Sequence, residues 1–380
     1  MKIFKKFYHW LNHPYRFSVL KKFFISRQIP FYTKYQIRRQ FKQTSQTQIL
    51  PSAQKEKPII LFSSCEDSFN TGDLKYNGGL KVYNLWVKTL RRQGYEAYIV
   101  TFDGSYQSWL VEHQPCISLA KVKQLKEGGK FLKFVTGWLD SKAFIDLADK
   151  IYFHDCEATY TDTIHSSVFQ KLIKSKKICA ISTNSRFQQA WYAGKFNLFP
   201  ELIPDWSDEQ YWFADQKRRE SGLVGYMRES ETSELEIKQI AEHCRITSVD
   251  AKFIEIKGDE KNIIETMQKC DFYLGLNPGK HSLLGEGCPR SQQEAMHAGC
   301  VLIAYNVNGN REYLIDGYNG FLVPRKKTSL LAAHLINLMR NPELKEKIRA
   351  RSIDLVSKAF SSYGKWPLLR EFLELENDKN

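Results

Sequence analysis

The apolar pattern begins with Pro58-Ile-Ile-Leu-Phe62, a short unbroken run of the kind that fills a central parallel strand. A long polar loop ends in Asn77-Gly78-Gly79, after which Val82, Tyr83, Trp86, Val87 and Leu90 recur at helical spacing. Gly94 stands where a helix-ending glycine is expected, and Ala97–Thr101 is the next apolar run. Strand, loop, helix and strand in that order predict a right-handed crossover, the unit from which doubly wound sheets are built. Two more strands are predicted at Ile151–His154 and Ile178–Ser182. The stretch Phe196–Ser221 is rich in Pro, Asp and aromatics and keeps no clean period, so it marks a junction. A second alternating series follows, with strands predicted at Leu223–Met227, Phe253–Ile256, Phe272–Leu276 and Val301–Tyr305.

The pattern therefore predicts an α/β chain of two Rossmann-like domains facing across a cleft. The expected boundaries are an arm over 1–55, a first domain over 56–205, a second over 206–358, and a closing segment over 359–380. At 380 residues, each domain can bury a core of its own. With 42% apolar and 26% charged residues the composition is that of a folded protein.

No apolar run approaches the roughly 20 residues needed to cross a bilayer, and the N-terminus lacks the apolar region and cleavage site of a secretory signal. A cytoplasmic location is expected. The eight cysteines (65, 116, 156, 179, 244, 270, 288 and 300) form no C-x-x-C pair. Their spacings supply no zinc set, so buried free thiols and no metal are expected.

The formal charge of +14 is uneven: residues 1–50 hold eleven Lys or Arg and no acid, which leaves about +3 for the rest. The same arm carries Phe4, Phe7, Trp10, Leu11, Phe17, Leu20, Phe23 and Phe24. Cations interleaved with aromatics predict an anionic membrane surface as a partner, met through residues 1–42, and a peripheral position on it. No nucleic-acid motif accompanies the charge, so nucleic acid is not expected. Lys121, Lys123, Lys126, Lys130 and Lys133, beside Phe131, Phe134 and Trp138, are expected to extend that surface.

Candidate chemistry concentrates between Gly285 and Pro324. Glu286 and Glu294 stand eight positions apart, the first in a Gly-rich loop and the second inside a predicted helix. Pro289 suits the first turn of that helix, and the free amides around Gly287, Cys288, Arg290 and Gln292 would face the cleft as a diphosphate site. Glu294-Ala-Met-His-Ala-Gly-Cys-Val-Leu302, Gly309-Asn-Arg-Glu312 and Asp316–Val323 follow in order. This succession resembles the family-4 retaining glycosyltransferases, whose donor domain carries an E-x7-E pair, an EAM-type helix–strand passage, a G-x-x-E turn and a DG-x-NG-x-LV strand.

The resemblance implies the GT-B fold, with a C-terminal helix over Trp366–Leu375 crossing back to the first domain. It also implies transfer of a sugar from a nucleotide-sugar donor to a glycan or lipid-linked acceptor. Retention of configuration, no cofactor and no obligatory metal are implied as well, and no Asp-x-Asp stands in the chain to hold a divalent ion. Glu294 would bind the nucleotide ribose, Glu286 the donor sugar, and Arg228 and Arg290 the diphosphate, near Gly225. His154, at a strand end in Tyr152-Phe-His-Asp155, would complete the site from the first domain, and Gly78-Gly79 resembles the family's cleft loop.

One departure stands out. The family usually places a second cation a few residues beyond the first arginine, and Glu229–Glu234 offers none; Arg290 is expected to replace it. The same gap motivates an alternative reading as a catalytically weak or inactive binding protein of this fold. A nicotinamide enzyme is disfavoured, because Ser63–Gly79 holds no G-x-G-x-x-G.

Overall fold

A computed structural model describes residues 57–63, 78–106, 108–137, 145–156, 175–213, 219–228, 231–276 and 287–375. The basic arm, Cys65, Trp138 and Glu286 lie outside the described residues.

Strand β1 (Ile59–Ser63) is buried throughout and pairs in parallel with β2 (Ala97–Thr101) on one side and β4 (Leu132–Thr136) on the other. Helix α1 (Gly78–Arg92) crosses over between β1 and β2 and buries Val82, Tyr83, Trp86, Val87 and Leu90, as their spacing predicts. Arg91 and Arg92 face the negative end of its dipole, and Gly94 takes the left-handed φ of +81° that ends it. Outside these lie β3 (Cys116–Ser118), then β5 (Lys150–Asp155), β6 (Ile178–Thr183) and β7 (Glu201–Leu202). The order 3-2-1-4-5-6-7, all parallel, reverses between β1 and β4. Helix α2 (Leu119–Glu127) follows β3, and α3 (Arg186–Phe196) follows β6.

The second sheet holds β8 (Leu223–Tyr226), β9 (Lys252–Glu255), β10 (Phe272–Gly275), β11 (Val301–Tyr305) and β12 (Phe321–Val323). Its order is 12-11-10-8-9, again parallel, with the reversal between β8 and β10. Helices α4 (Glu209–Trp212), α5 (Glu231–Ile246), α6 (Glu260–Lys269) and α7 (Arg290–His297) come next in chain order. They are followed by α8 (Thr328–Arg340), α9 (Pro342–Ala359) and α10 (Ser362–Phe372). In such sheets ligands bind beyond the carboxyl ends of the strands, at the reversal.

The last helix returns to the first sheet. Phe372 meets Tyr152 at 5.5 Å and Trp86 at 6.3 Å between ring centres, and Tyr152 and Lys150 both bond the Glu374 carboxylate. One apolar cluster runs unbroken from Trp86 and Trp206 to Cys288, Met296 and Phe372, so the two sheets share buried surface rather than touching at a rim.

The lysine-rich surface expected around Phe131 is smaller than its sequence suggests. Lys133 and Phe134 belong to the buried strand β4, a strand that the pattern did not disclose. Strand β4 lies inside a parallel sheet, where both faces are covered, and Lys133 reaches through to donate to the carbonyls of Leu373 (2.7 Å) and Glu374 (3.0 Å). Lys126 pairs with Asp149, which leaves Lys121, Lys123 and the half-exposed Phe131 at the surface.

Candidate functional site

Polar side chains collect at the carboxyl ends of the first sheet: Thr136, His154, Asp155, Ser182, Thr183 and Asn184 are all buried there. Each follows from its place at a strand end, where the sheet's apolar layer stops and backbone groups need partners. His154 is fully buried, lies 4.6 Å from the Trp86 ring between centres, and shares a 2.9 Å hydrogen bond between Nδ1 and Ser182 Oγ. Its Nε2 stands 3.9 Å from Asp205 Oδ1. Neither of those two atoms has a hydrogen-bond partner among the described residues. Asp155 turns the other way and accepts from Tyr192 at 2.6 Å.

The loop and helix carrying the glutamate pattern dock directly on this edge. A Cβ on Gly287 would collide with Gln188 and with the Cys156 carbonyl, so the backbone approach there admits only glycine. Cys288 is buried beside it. Pro289 is the N-cap of α7 rather than a member of its first turn, and Tyr313 donates to its carbonyl at 2.8 Å. Gln293 donates to the Asp205 carbonyl (2.9 Å) and Arg290 to the Trp206 carbonyl (3.2 Å), both across the seam. Arg186 and Glu312 close a further bridge of 3.0 Å, which brings the G-x-x-E turn onto the N-terminus of α3.

Glu294 is where the two halves meet most tightly. Lys81 of α1 lies 2.5 Å from its carboxylate and 3.1 Å from that of Glu260, and Arg290 lies 3.4 Å from the same Glu294 oxygen. Glu260 in turn accepts from the Val111 amide at 3.0 Å. Burial opposes the Arg290 charge, but Glu294 and Asp205 outweigh it and hold the guanidinium above its ordinary pKa. Lys81 also sits 4.8 Å over the Trp212 ring. A cleft pocket beside this cluster is lined by Lys81, Glu112, Asp208, Tyr211, Glu260 and Arg290.

The structure thus brings His154, Gly287, Cys288, Arg290 and Glu294 to one seam. Gly78, at the start of α1, joins them: a Cβ there would lie 3.4 Å from Arg290 Cδ, with Gly79 following in the first turn. Arg228 stays at the surface past the end of β8 and pairs with Glu234 at 3.5 Å. Gly225 lies inside β8, where an added Cβ would meet Cys270 and Ile256 at 2.7 Å, so its missing side chain makes room for packing.

Lys81, Glu260, Asp205 and Gln188 escaped the sequence reading. Only Lys81 left a trace: it and Lys88 are seven apart on an otherwise apolar helix face, and Lys88 is buried between Glu112 (2.5 Å) and Asp208 (2.6 Å). One cysteine stands beside two other ligand-type groups, a grouping that the cysteine spacings did not suggest. His154, Cys156 and Asp205 each bring one ligand-type atom within 4.8 Å of the others. Spacing could not disclose it, because Asp205 arrives from a different segment.

Residues 223–354, most of the second half, match the family model described as glycosyl transferases group 1. Curated protein sequences give no match. Among solved structures, the HepE protein of Anabaena in complex with UDP-glucose superposes with a TM-score of 0.59 at 16% identity, over 83% of this chain and 99% of that one. A glycosyltransferase from Rickettsia africae gives 0.57 at 14% identity, over 84% and 100%. Sucrose-phosphate synthase from Thermosynechococcus elongatus gives 0.59 at 13%, over 84% and 100%. The fold is the GT-B arrangement of two Rossmann-like domains.

Proposed function

We propose that this protein is a retaining, metal-independent glycosyltransferase that moves a sugar from a nucleotide-sugar to a glycan or lipid-linked acceptor. The observation that carries the reading is the convergence of His154, Lys81, Arg290 and Glu294 at the carboxyl ends of both sheets. The group 1 match over residues 223–354 and the UDP-glucose bound by the Anabaena protein support it.

In this reading Glu294 exchanges its two cations for the ribose hydroxyls when the donor enters. Lys81 and Arg290 then turn to the diphosphate, where they neutralise the charge that grows on the leaving group. They supply the second cation missing after Arg228. His154 presents Nε2 to the donor from the opposite domain, in surroundings that closure keeps dry. Glu286 is assigned to the donor sugar. The arm over residues 1–42 holds the protein at an anionic membrane surface, beside a lipid-linked acceptor. Among the described residues no helix is long and apolar enough to cross a membrane.

A second reading is a binding protein that keeps the fold without turnover. The pairing of Glu294 with Lys81 and Arg290 favours it, since these charges already satisfy one another. Incubating the protein with a panel of nucleotide-sugars and measuring nucleoside diphosphate release separates the two. Release from one donor that falls in Glu294→Gln supports transfer; saturable nucleotide binding without release supports the second reading. Failure to bind any nucleoside diphosphate overturns both.

A further inference from the structure

The geometry points to a zinc-class cation site formed by His154 Nε2, Cys156 Sγ and the Asp205 carboxylate. The three residues each bring one ligand-type atom within 4.8 Å of the others, and His154 Nε2 and Asp205 Oδ1 are both buried without a hydrogen-bond partner among the described residues. A buried polar atom with no partner is costly, so two of them facing each other call for an occupant. The ligands are an imidazole, a thiol and a carboxylate, the mixture that tetrahedral zinc accepts with one position left open.

Backbone geometry explains the assembly. His154 is the last residue but one of β5, and Cys156 stands just past the strand, in the bend that follows it. Asp205 comes from the crossing segment after β7.

The surrounding contacts orient each ligand as supporting hydrogen bonds do in metal sites. The tautomer that donates Nδ1–H to Ser182 leaves the Nε2 lone pair aimed at the cluster. Asn184 donates to Asp205 Oδ2 at 3.0 Å and leaves Oδ1 facing His154. The Cys156 carbonyl is engaged by Gln188, which fixes the backbone beneath the thiol. His154 and Asp205 are sealed, and Cys156 is partly buried beside them.

On binding, the S–H bond breaks, the proton leaves to buffer, and the thiolate takes up a metal–sulfur bond. A dication with one thiolate and one carboxylate is neutral overall, which suits a site walled by Trp86 and Trp206. Bound ion and donor would compete for His154 Nε2.

Cobalt(II) titration of chelator-treated full-length protein tests the site without any sugar nucleotide, so its outcome is independent of the transferase reading. One cobalt per chain is expected, with a thiolate-to-cobalt charge-transfer band and release of one proton. Cys156→Ser should abolish the band, while Cys288→Ser, at the neighbouring thiol, should keep it. Asn184→Ala, which removes only the group holding Asp205, should weaken binding about 10- to 100-fold. Circular dichroism checks that each variant is folded. Absence of stoichiometric cobalt, a band that survives Cys156→Ser, or indifference to Asn184→Ala overturns the proposal.

Discussion

Two of the ion clusters among the described residues differ in what they hold together. In the first, Asp271 is wrapped by Arg349, by Lys345 at 2.9 Å and by the Gly222 amide at 3.1 Å, all within the second half. Arg349 also donates to the carbonyls of Asp271 and Gly299, so its charge and its hydrogen-bonding capacity are used locally. Burial alone would raise the Asp271 pKa, but Lys345, the Gly222 amide and Arg349 bring it below the ordinary range. This cluster stands at the entry of β10, away from the strand ends where ligands bind. In the second, Glu294 is held by Lys81 from the other half and by Arg290 one helical turn away. The cluster sits at the carboxyl ends, and its Lys81 and Arg290 line a pocket. A buried charge fully satisfied inside one domain is a structural element, whereas one satisfied across a cleft can be handed to a ligand.

Arg349 is where the two clusters differ most in consequence. Arg349→Ala strips Asp271 of one of its two cationic partners and should cost about 3–5 kcal/mol of folding stability, measured by denaturant unfolding. Nucleotide affinity of the remaining folded protein should not change. A loss below about 1 kcal/mol would show that the cluster is not a closed structural unit.

At the seam the expected effects move from folding to ligand. Glu294→Gln should weaken nucleoside diphosphate binding by about 1.5–3 kcal/mol in calorimetry, with little change in melting temperature. Glu286→Gln should lower turnover while keeping that affinity. Equal losses in both variants would end the division of labour between the two glutamates.

Arg290→Ala and Lys81→Met sharpen the same contrast. Each should reduce diphosphate affinity by about 1.5–3 kcal/mol while leaving affinity for the bare nucleoside unchanged. If nucleoside and diphosphate affinity fall together, the two cations only hold the domains shut.

The smallest effect is expected at Lys365 of α10, which burial pushes down to about 8 despite the acids Glu312 and Asp205 nearby. Between about 8 and its ordinary 10.5 the folded state binds fewer protons than the unfolded chain, so stability rises with pH across that window. At pH 7 the full cost is carried. Lys365→Met should therefore raise the melting temperature by about 2–4 °C at pH 7, an advantage that shrinks from pH 8 to 10.5. An advantage constant with pH would point to packing on Phe360, 4.5 Å from the ammonium, rather than charge.

The sequence by itself determined the alternation of elements, because periodicity depends only on which face of a strand or helix meets the core. The residues of β1, α1, β2 and of β8 to β11 follow from apolar spacing, and Gly94 ends α1 because only glycine takes its φ cheaply. Strand β4 was hidden, since a lysine at its centre reads as surface until the carbonyls that receive it are known. The Glu294 helix and the G-x-x-E turn were legible as a local pattern over forty residues. Their partners were not: Lys81 is more than two hundred positions from Glu294, and Asp205 meets His154 only when β5 and the crossing segment pack together. Which charge faces which is a long-range distance, and no local spacing encodes it. Tertiary structure alone decided that Arg228 stays in solvent while Arg290 is buried, because the shared apolar core draws α7 into the seam and leaves the end of β8 outside.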